Sequence, residues 1–326
     1  MAKEEQIISD GTCLIKAPVQ VMEEELAEQG APVLQALDYF LLAEKSSSSG
    51  QYAEAGDAYK KSLAILPTMS AYLNWGNICF ISGNTDEARQ SYSSGLALAV
   101  KKKNRWFEGA FSCNTGHLYY SEGNPDEALK YFNQALPALN ETGKNEDVGV
   151  LLGILLKMEA VYNQMKAWDP AIECLQQALA LFRNTGRKTG IARCLNNLGL
   201  ILVARKDHDQ AENIFREALD IFRELGSRKD EADQLGNIGS VFRNTGKNEL
   251  ALRHYNESLA IFKEIDDELG VANELGNVGY IYTVIGDYYS ALNYFLQAEK
   301  LYLKLGVTSR AEMTRKNINI LLGKMK

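Results

Sequence analysis

The sequence predicts an all-α fold, an α-solenoid of about seven stacked helical hairpins. The first observation is a repeated unit, which is clearest at Leu235 to Phe262. The second is that apolar and small residues follow helical spacing on both sides of a polar break at Asn244 to Asn248. Each apolar face is short, so neighbouring hairpins must cover it and stability comes from the array.

Local residue choices in this unit indicate how the hairpin closes. Gly246 fits the end of the first helix, where a left-handed residue is favoured, and Asn248 is expected to cap the second helix. Gly239 on the first helix and Ala251 on the second are small, so the two helices can approach closely.

Two sets of positions define the repeats. An alanine of the second helix recurs mostly at intervals of about 40 residues, at Ala55, Ala88, Ala128, Ala171, Ala211, Ala251 and Ala291. The matching first-helix positions are mostly small: Ala43, Gly76, Gly116, Glu159, Gly199, Gly239 and Gly279. Repeat four, with Glu159 and with Leu175 at an otherwise mostly aromatic position, is expected to be irregular.

The full pattern resembles the tetratricopeptide repeat over roughly residues 38–305. A small residue is followed at offsets 3, 7, 12, 16 and 19 by an aromatic, Gly, Ala, an aromatic and a small residue, here Gly239, Phe242, Gly246, Ala251, Tyr255 and Ser258. The spacing of about 40 residues, longer than the usual 34, is similar to that of kinesin light chains, LGN and Rap-type regulators. The resemblance implies a right-handed superhelix whose concave groove binds another protein or peptide.

The two ends lie outside this pattern, so the predicted organisation is 1–36, 37–306 and 307–326. Residues 1–36 contain an acidic helix from Pro18 to Gln29, ended by Gly30. Two interpretations stay open for them, an N-terminal cap with a solvated acidic face or a regulatory arm that occupies the groove. Residues 307–326 are predicted to form a closing helix that shields the last repeat.

Prolines mark further helix ends. Pro67 is expected to end the second helix of repeat one, which starts at Tyr52. In repeat three, Asn124 is a predicted cap and Pro125 suits the first turn of the second helix, whereas Pro137 should end or kink that helix.

Composition excludes several classes of function. The formal net charge of −7 argues against a nucleic-acid partner, which needs clustered Lys and Arg. No apolar run reaches the roughly 18 residues of a membrane span, and the start lacks a signal-peptide pattern, so a cytoplasmic protein is expected.

Five cysteines without metal or redox spacing are expected to be buried hydrophobic residues. No nucleophile and base recur as a pair and the histidines lack ligand spacing, so neither catalysis nor a metal or cofactor is predicted.

The predicted site consists of asparagines two residues before the small first-helix position: Asn74, Asn114, Asn197, Asn237 and Asn277. Two residues correspond to about 200° around a helix, so these side chains should point away from the partner helix. The resemblance places them on the concave face. A carboxamide both donates and accepts hydrogen bonds, as a peptide backbone does, so the asparagines form a ladder for an extended peptide. The alternative is that they bond to the preceding helix and organise the array.

Cations near the same face predict a preference for an acidic peptide or a free carboxylate. They are Lys157, which replaces the asparagine in repeat four, together with Arg193, Arg243 and His117. The predicted groove set is therefore Asn74, Asn114, Lys157, Arg193, Asn197, Asn237, Arg243 and Asn277.

Three functions are compatible with this sequence. The leading hypothesis is an adaptor or scaffold that binds a protein or peptide in its groove, without nucleic acid or membrane insertion. The second is a sensor in which a small peptide or metabolite changes the curvature of the superhelix. The third is a scaffold that assembles with itself through residues 1–36.

Overall fold

A computed structural model describes residues 14–27, 33–141 and 148–325. These ranges form sixteen helices and no strand, which confirms the predicted all-α solenoid of helical hairpins. The helices are α1 (Val19–Ala27), α2 (Val33–Ser48), α3 (Tyr52–Ile65), α4 (Met69–Ile81), α5 (Thr85–Lys102), α6 (Arg105–Ser121), α7 (Pro125–Asn140), α8 (Val148–Gln164), α9 (Trp168–Asn184), α10 (Lys188–Ala204), α11 (His208–Glu224), α12 (Arg228–Asn244), α13 (Asn248–Glu264), α14 (Glu268–Ile285), α15 (Tyr288–Lys304) and α16 (Thr308–Lys324).

The chain divides into two compact units, here called unit 1, which ends at Ala167, and unit 2, which begins at Trp168. Unit 1 contains the hairpins α2/α3, α4/α5 and α6/α7, and unit 2 contains α10/α11, α12/α13 and α14/α15. The division falls inside repeat four, the repeat in which Glu159 takes the place of the small residue.

The small first-helix residue makes room for an aromatic ring of the second helix. A Cβ atom on Gly239 would lie 2.7 Å from Cε1 of Tyr255, which is fully buried. The same arrangement recurs for Gly76 with Tyr92, Gly116 with Phe132, Gly199 with Phe215 and Gly279 with Phe295. The glycine therefore provides the space that the ring fills, and these five hairpins close around this pair.

Two turn predictions have different outcomes. Gly246 adopts the expected left-handed conformation, with φ of +73°. The predicted cap at Asn248 is wrong, because α13 already begins at Asn248 and Lys247 precedes it without a side-chain cap bond. The left-handed Gly246 reverses the chain within one further residue, so Asn248 donates its backbone N–H to the Gly246 carbonyl at 3.0 Å.

The proline predictions also divide. Asn124 caps α7 by accepting the Glu127 N–H at 3.4 Å, and Pro125 is the first residue of that helix, as expected. Of the two alternatives for Pro137, an end is excluded, since α7 continues through it to Asn140. Pro137 lacks an N–H donor, but its carbonyl still accepts the N–H of Glu141 at 3.0 Å.

Other sequence predictions concern the core and the ends. The described cysteines Cys79, Cys113, Cys174 and Cys194 are buried, as expected. Ile318 and Leu321 of α16 pack against Ala291 and Phe295 of the last hairpin, which is the packing that a closing helix needs. Gly30 and Pro32 lie outside the described residues. Along the described part of the chain, no helix is both long and apolar enough to cross a bilayer.

We predict that Gly239→Leu destabilises the chain by about 1–3 kcal/mol, because the new side chain must displace the Tyr255 ring. Thermal or urea unfolding measures the loss. The matched control is Gly323→Leu, because an added Cβ on that α16 glycine meets no atom within 4 Å. Equal stability of the two variants would contradict the packing described for Gly239.

Candidate functional site

Residues 14–27, here called the arm, pack against the first helices of unit 1. Leu14 to Pro18 is non-helical, and α1 follows it. Met22 and Leu26 of α1 are buried in a cluster with Phe40 and Ile78. One side of α1 is therefore part of the unit 1 core, while Glu23 and Glu24 on its other side are exposed.

Glu25 fixes α1 to the beginning of α4. Its carboxylate accepts the backbone N–H groups of Met69 and Ser70, both at 2.9 Å, and the Ser70 hydroxyl at 2.6 Å. The N–H groups of a first helical turn have no partner within the helix, and a carboxylate satisfies both their hydrogen bonding and the local positive potential. Glu25 is buried, whereas its neighbours Glu23 and Glu24 are exposed.

Two of the predicted asparagines bind the backbone of the arm. Asn114 of α6 accepts the Ile15 N–H at 2.8 Å and donates to the Ile15 carbonyl at 2.9 Å. Asn74 of α4 does the same for Ala17, at 2.9 Å and 3.0 Å. Each carboxamide thus uses its donor and its acceptor on one residue of the non-helical part of the arm.

A third asparagine, which the sequence interpretation missed, completes this face. Asn77 lies one turn after Asn74 and donates to the Ile15 carbonyl at 2.9 Å. Its own oxygen accepts from Asn114 at 2.7 Å and from the Tyr92 hydroxyl at 2.8 Å. We call the face that carries Asn74, Asn77 and Asn114 the unit 1 groove. Ile15 and Ala17 of the arm lie against this groove.

Glu44 of α2 binds the side chain that the arm presents between its two anchored residues. Its carboxylate pairs with the Lys16 ammonium, accepts from Asn74 at 2.9 Å and accepts from the Tyr59 hydroxyl. Burial and the nearby Glu44 charge raise the pKa of Tyr59 far above its ordinary value, so the phenol keeps its proton and stays a donor. Glu44 follows the small residue Ala43, and nothing in its spacing marked it as a site residue.

Beside the arm the groove is not full. An open cleft of about 630 Å³ is lined by Leu14 and Lys16 of the arm and by Ile78 and Ile81 of α4, among others. Of the two predicted cations of unit 1, His117 is buried, whereas Lys157 is half-buried and its ammonium lies 5.0 Å from the centre of the Tyr120 ring.

In unit 2 the carboxamides bond to one another. Asn196 of α10 accepts from Asn237 at 3.0 Å and from Gln234 at 2.9 Å, both on α12, and it donates to Asn197 at 3.3 Å. Asn237 therefore makes the bond to a preceding first helix that the sequence left open as the alternative. The Gln234 oxygen is buried and has no hydrogen-bond partner among the described residues.

The next repeat replaces this network with a carboxylate. Glu274 occupies the position of Gln234 one repeat later, while Gly236 occupies the position of Asn196. A Cβ on Gly236 would lie 2.7 Å from Glu274 Oε1, so the carboxylate fills the space that the glycine leaves. Asn277 donates to Glu274 at 3.2 Å. Burial, reinforced by the negative Asp233, raises the pKa of Glu274 to about 7.

The predicted cations of unit 2 are also placed. Arg193 is exposed, and the Arg243 guanidinium lies 5.5 Å from the centre of the Tyr280 ring. The predicted set is thus shared between the units, with Asn74, Asn114 and Lys157 in unit 1 and the other five residues in unit 2.

A family model for the tetratricopeptide repeat matches residues 67–141, 153–224 and 230–304, which together exceed half of the chain. The chain belongs to the tetratricopeptide repeat family. This membership confirms the predicted family. No curated protein sequence matches the chain.

Solved tetratricopeptide and related structures show the same fold at low sequence identity. BtubC (BKLC) from P. vanneervenii is 22% identical, with a TM-score of 0.54 over 68% of this chain and 92% of that one. A signal transduction ATPase with a tetratricopeptide repeat sensor from Pyrococcus horikoshii is 16% identical, with a TM-score of 0.64 over 91% of this chain and 46% of that one. The apo form of RapI is 15% identical, with a TM-score of 0.52 over 79% and 98%.

We predict that the two groove asparagines protect different amides of this repeat protein from hydrogen exchange. Asn114→Ala should speed exchange at the Ile15 amide and Asn74→Ala at the Ala17 amide, each by about 5-fold or more, because one hydrogen bond is worth about 1 kcal/mol. Asn237→Ala, at the same repeat position in unit 2, is the matched control and should change neither amide. Unprotected Ile15 and Ala17 amides in the unmodified chain would contradict the arm contacts.

We also predict that Glu274 makes stability depend on pH. Its folded pKa of about 7 exceeds the ordinary value of 4.5, so the folded state binds more protons between these values and stability falls as pH rises through them. Glu274→Gln should remove this loss and stabilise the chain at pH 8 by up to about 3 kcal/mol, with little change at pH 4. Urea unfolding at both pH values measures it, with the exposed Glu249→Gln as control. An equal effect of Glu274→Gln at both pH values would refute the assignment.

Proposed function

We propose that the chain is an adaptor whose first helices hold an extended segment of another protein by its backbone. The observation that carries the proposal is the arm, because Asn74 and Asn114 each exchange two hydrogen bonds with one of its residues. Membership of the tetratricopeptide repeat family supports a protein-interaction role in general.

The geometry of the anchored residues supports an extended ligand. Ile15 and Ala17 are two residues apart, and alternate residues of an extended chain point their backbone groups to the same side. A ladder of carboxamides from successive repeats therefore matches every second residue of such a segment. Since every residue except proline carries one N–H and one C=O, this part of the interaction supplies affinity without sequence choice.

We propose that the carboxamides of unit 2 also bind the backbone of a protein segment. Asn197, Asn237 and Asn277 stand at the repeat position of Asn74 and Asn114 and are half-buried. Among the described residues, the side-chain NH₂ group of Asn197 and the side-chain oxygen of Asn237 make no hydrogen bond, so both are available to a ligand. We propose that Arg193 and Arg243 pair with acidic side chains of the bound segment.

The experiment uses the full chain with its arm weakened. Ile15→Pro and Ala17→Pro remove the two backbone N–H donors that Asn114 and Asn74 accept, and they leave the groove unchanged. We call this variant the arm-weakened chain. A labelled peptide with the sequence of Leu14–Gln20 should bind it, measured by fluorescence anisotropy, and the unmodified chain should bind the peptide more weakly because its own arm competes.

The groove asparagines decide whether the peptide binds as proposed. Adding Asn74→Ala and Asn114→Ala to the arm-weakened chain should weaken peptide binding by about 10-fold or more, since four hydrogen bonds are lost. Adding Asn237→Ala instead should leave it unchanged. Absence of binding to a folded arm-weakened chain, or binding that survives the loss of Asn74 and Asn114, would contradict the proposal.

A further inference from the structure

The groove contacts side chains of the arm as well as its backbone, because Ile15, Lys16 and Ala17 lie in different environments. Ile15 is 6% exposed and Ala17 is fully buried, whereas Lys16 between them reaches the carboxylate of Glu44. An extended chain directs alternate side chains to opposite sides, which explains why the first and third residues are enclosed and the second is not.

The enclosed position of Ala17 restricts the size of the ligand side chain that can be bound there. Its side chain has no exposed surface, and both its N–H and its C=O are held by Asn74. A larger side chain would have to displace packed groups or break these bonds, and overpacking of this kind is costly. Pro18 follows and favours the extended conformation for Ala17, so the residue is set in its bound conformation before it binds.

The contact between Lys16 and Glu44 restricts the charge of the ligand side chain at this position. The Glu44 side chain is only 15% exposed, and Asn74 and Tyr59 hold its carboxylate in place. Among the described residues, Lys16 is the one cation recorded within 4 Å of this carboxylate. A largely buried carboxylate gains most from a partner of opposite charge and disfavours one of the same charge. The cleft of about 630 Å³ next to Lys16 leaves room for a longer basic side chain such as arginine.

We propose that the unit 1 groove selects extended segments with an aliphatic, a basic and a small residue in succession, and that Glu44 recognises the basic one. The arm carries this pattern as Ile15, Lys16 and Ala17, and a partner protein with the same pattern replaces the arm. The inference rests on the proposed function and adds sequence choice to it. It assigns unit 1 a preference opposite in sign to the acidic ligand suggested by Lys157.

The test compares labelled Leu14–Gln20 peptides on the arm-weakened chain by fluorescence anisotropy. Lys16→Glu and Ala17→Phe in the peptide should each weaken binding by about 10-fold or more, while Lys16→Arg should stay within about 3-fold. Glu44→Gln in the protein keeps an acceptor for Asn74 and Tyr59 but removes the charge, so the difference between the unmodified peptide and its Lys16→Glu variant should largely disappear. Glu44→Lys, once native helicity and melting are verified, should reverse this difference, so that the Lys16→Glu peptide binds more tightly than the unmodified peptide.

The outcomes separate the two proposals. Equal binding of the unmodified and Lys16→Glu peptides, with both lost on Asn74→Ala and Asn114→Ala, would overturn the selectivity and leave the backbone-binding groove intact. Unchanged discrimination in the Glu44→Gln protein would exclude Glu44 as the residue that recognises the charge. Failure of every peptide to bind a folded arm-weakened chain would overturn the proposed function and the selectivity together.

Discussion

The contact between a glycine and an aromatic ring inside five of the hairpins determines much of the remaining structure. Where Gly239 meets Tyr255, or Gly76 meets Tyr92, no larger residue fits unless the ring moves. This contact fixes which side of the first helix faces the second. Asparagines two residues before the glycine then stand on the other side, so the packing of the hairpin and the position of the binding groups have one cause.

The carboxamide ladder behaves differently in the two units because an asparagine binds whichever backbone or amide group lies nearest. In unit 1 the arm supplies complete backbone partners, and Asn74 and Asn114 bind it. In unit 2, Asn237 turns to Asn196 and Asn277 turns to Glu274. One chain thus contains carboxamides that bind the backbone of its own arm and a carboxamide that binds a neighbouring helix. A group that donates and accepts is suited to either role.

Several features set by local chemistry were predictable from the sequence. The repeat, the left-handed Gly246 and the cap at Asn124 follow from neighbouring residues. The cap expected at Asn248 was wrong, and α7 does not end at Pro137 because the other hydrogen bonds of the helix persist. Asn77 was recognisable in principle, as a second asparagine one turn after Asn74. Glu44 was not, because its importance depends on Lys16, a residue of the arm that no repeat pattern positions.

The arm and its groove belong to the same polypeptide, so the arm competes with any ligand of the groove at a fixed effective concentration. The share of molecules with an occupied groove does not change when the protein is diluted, because the arm is always present at the same effective concentration. On the proposed function, a partner would bind in proportion to its own abundance, with its apparent affinity lowered according to the fraction of molecules whose groove is open. Substitutions at Ile15, Lys16 or Ala17 would therefore change how much partner is needed without altering a single residue of the groove.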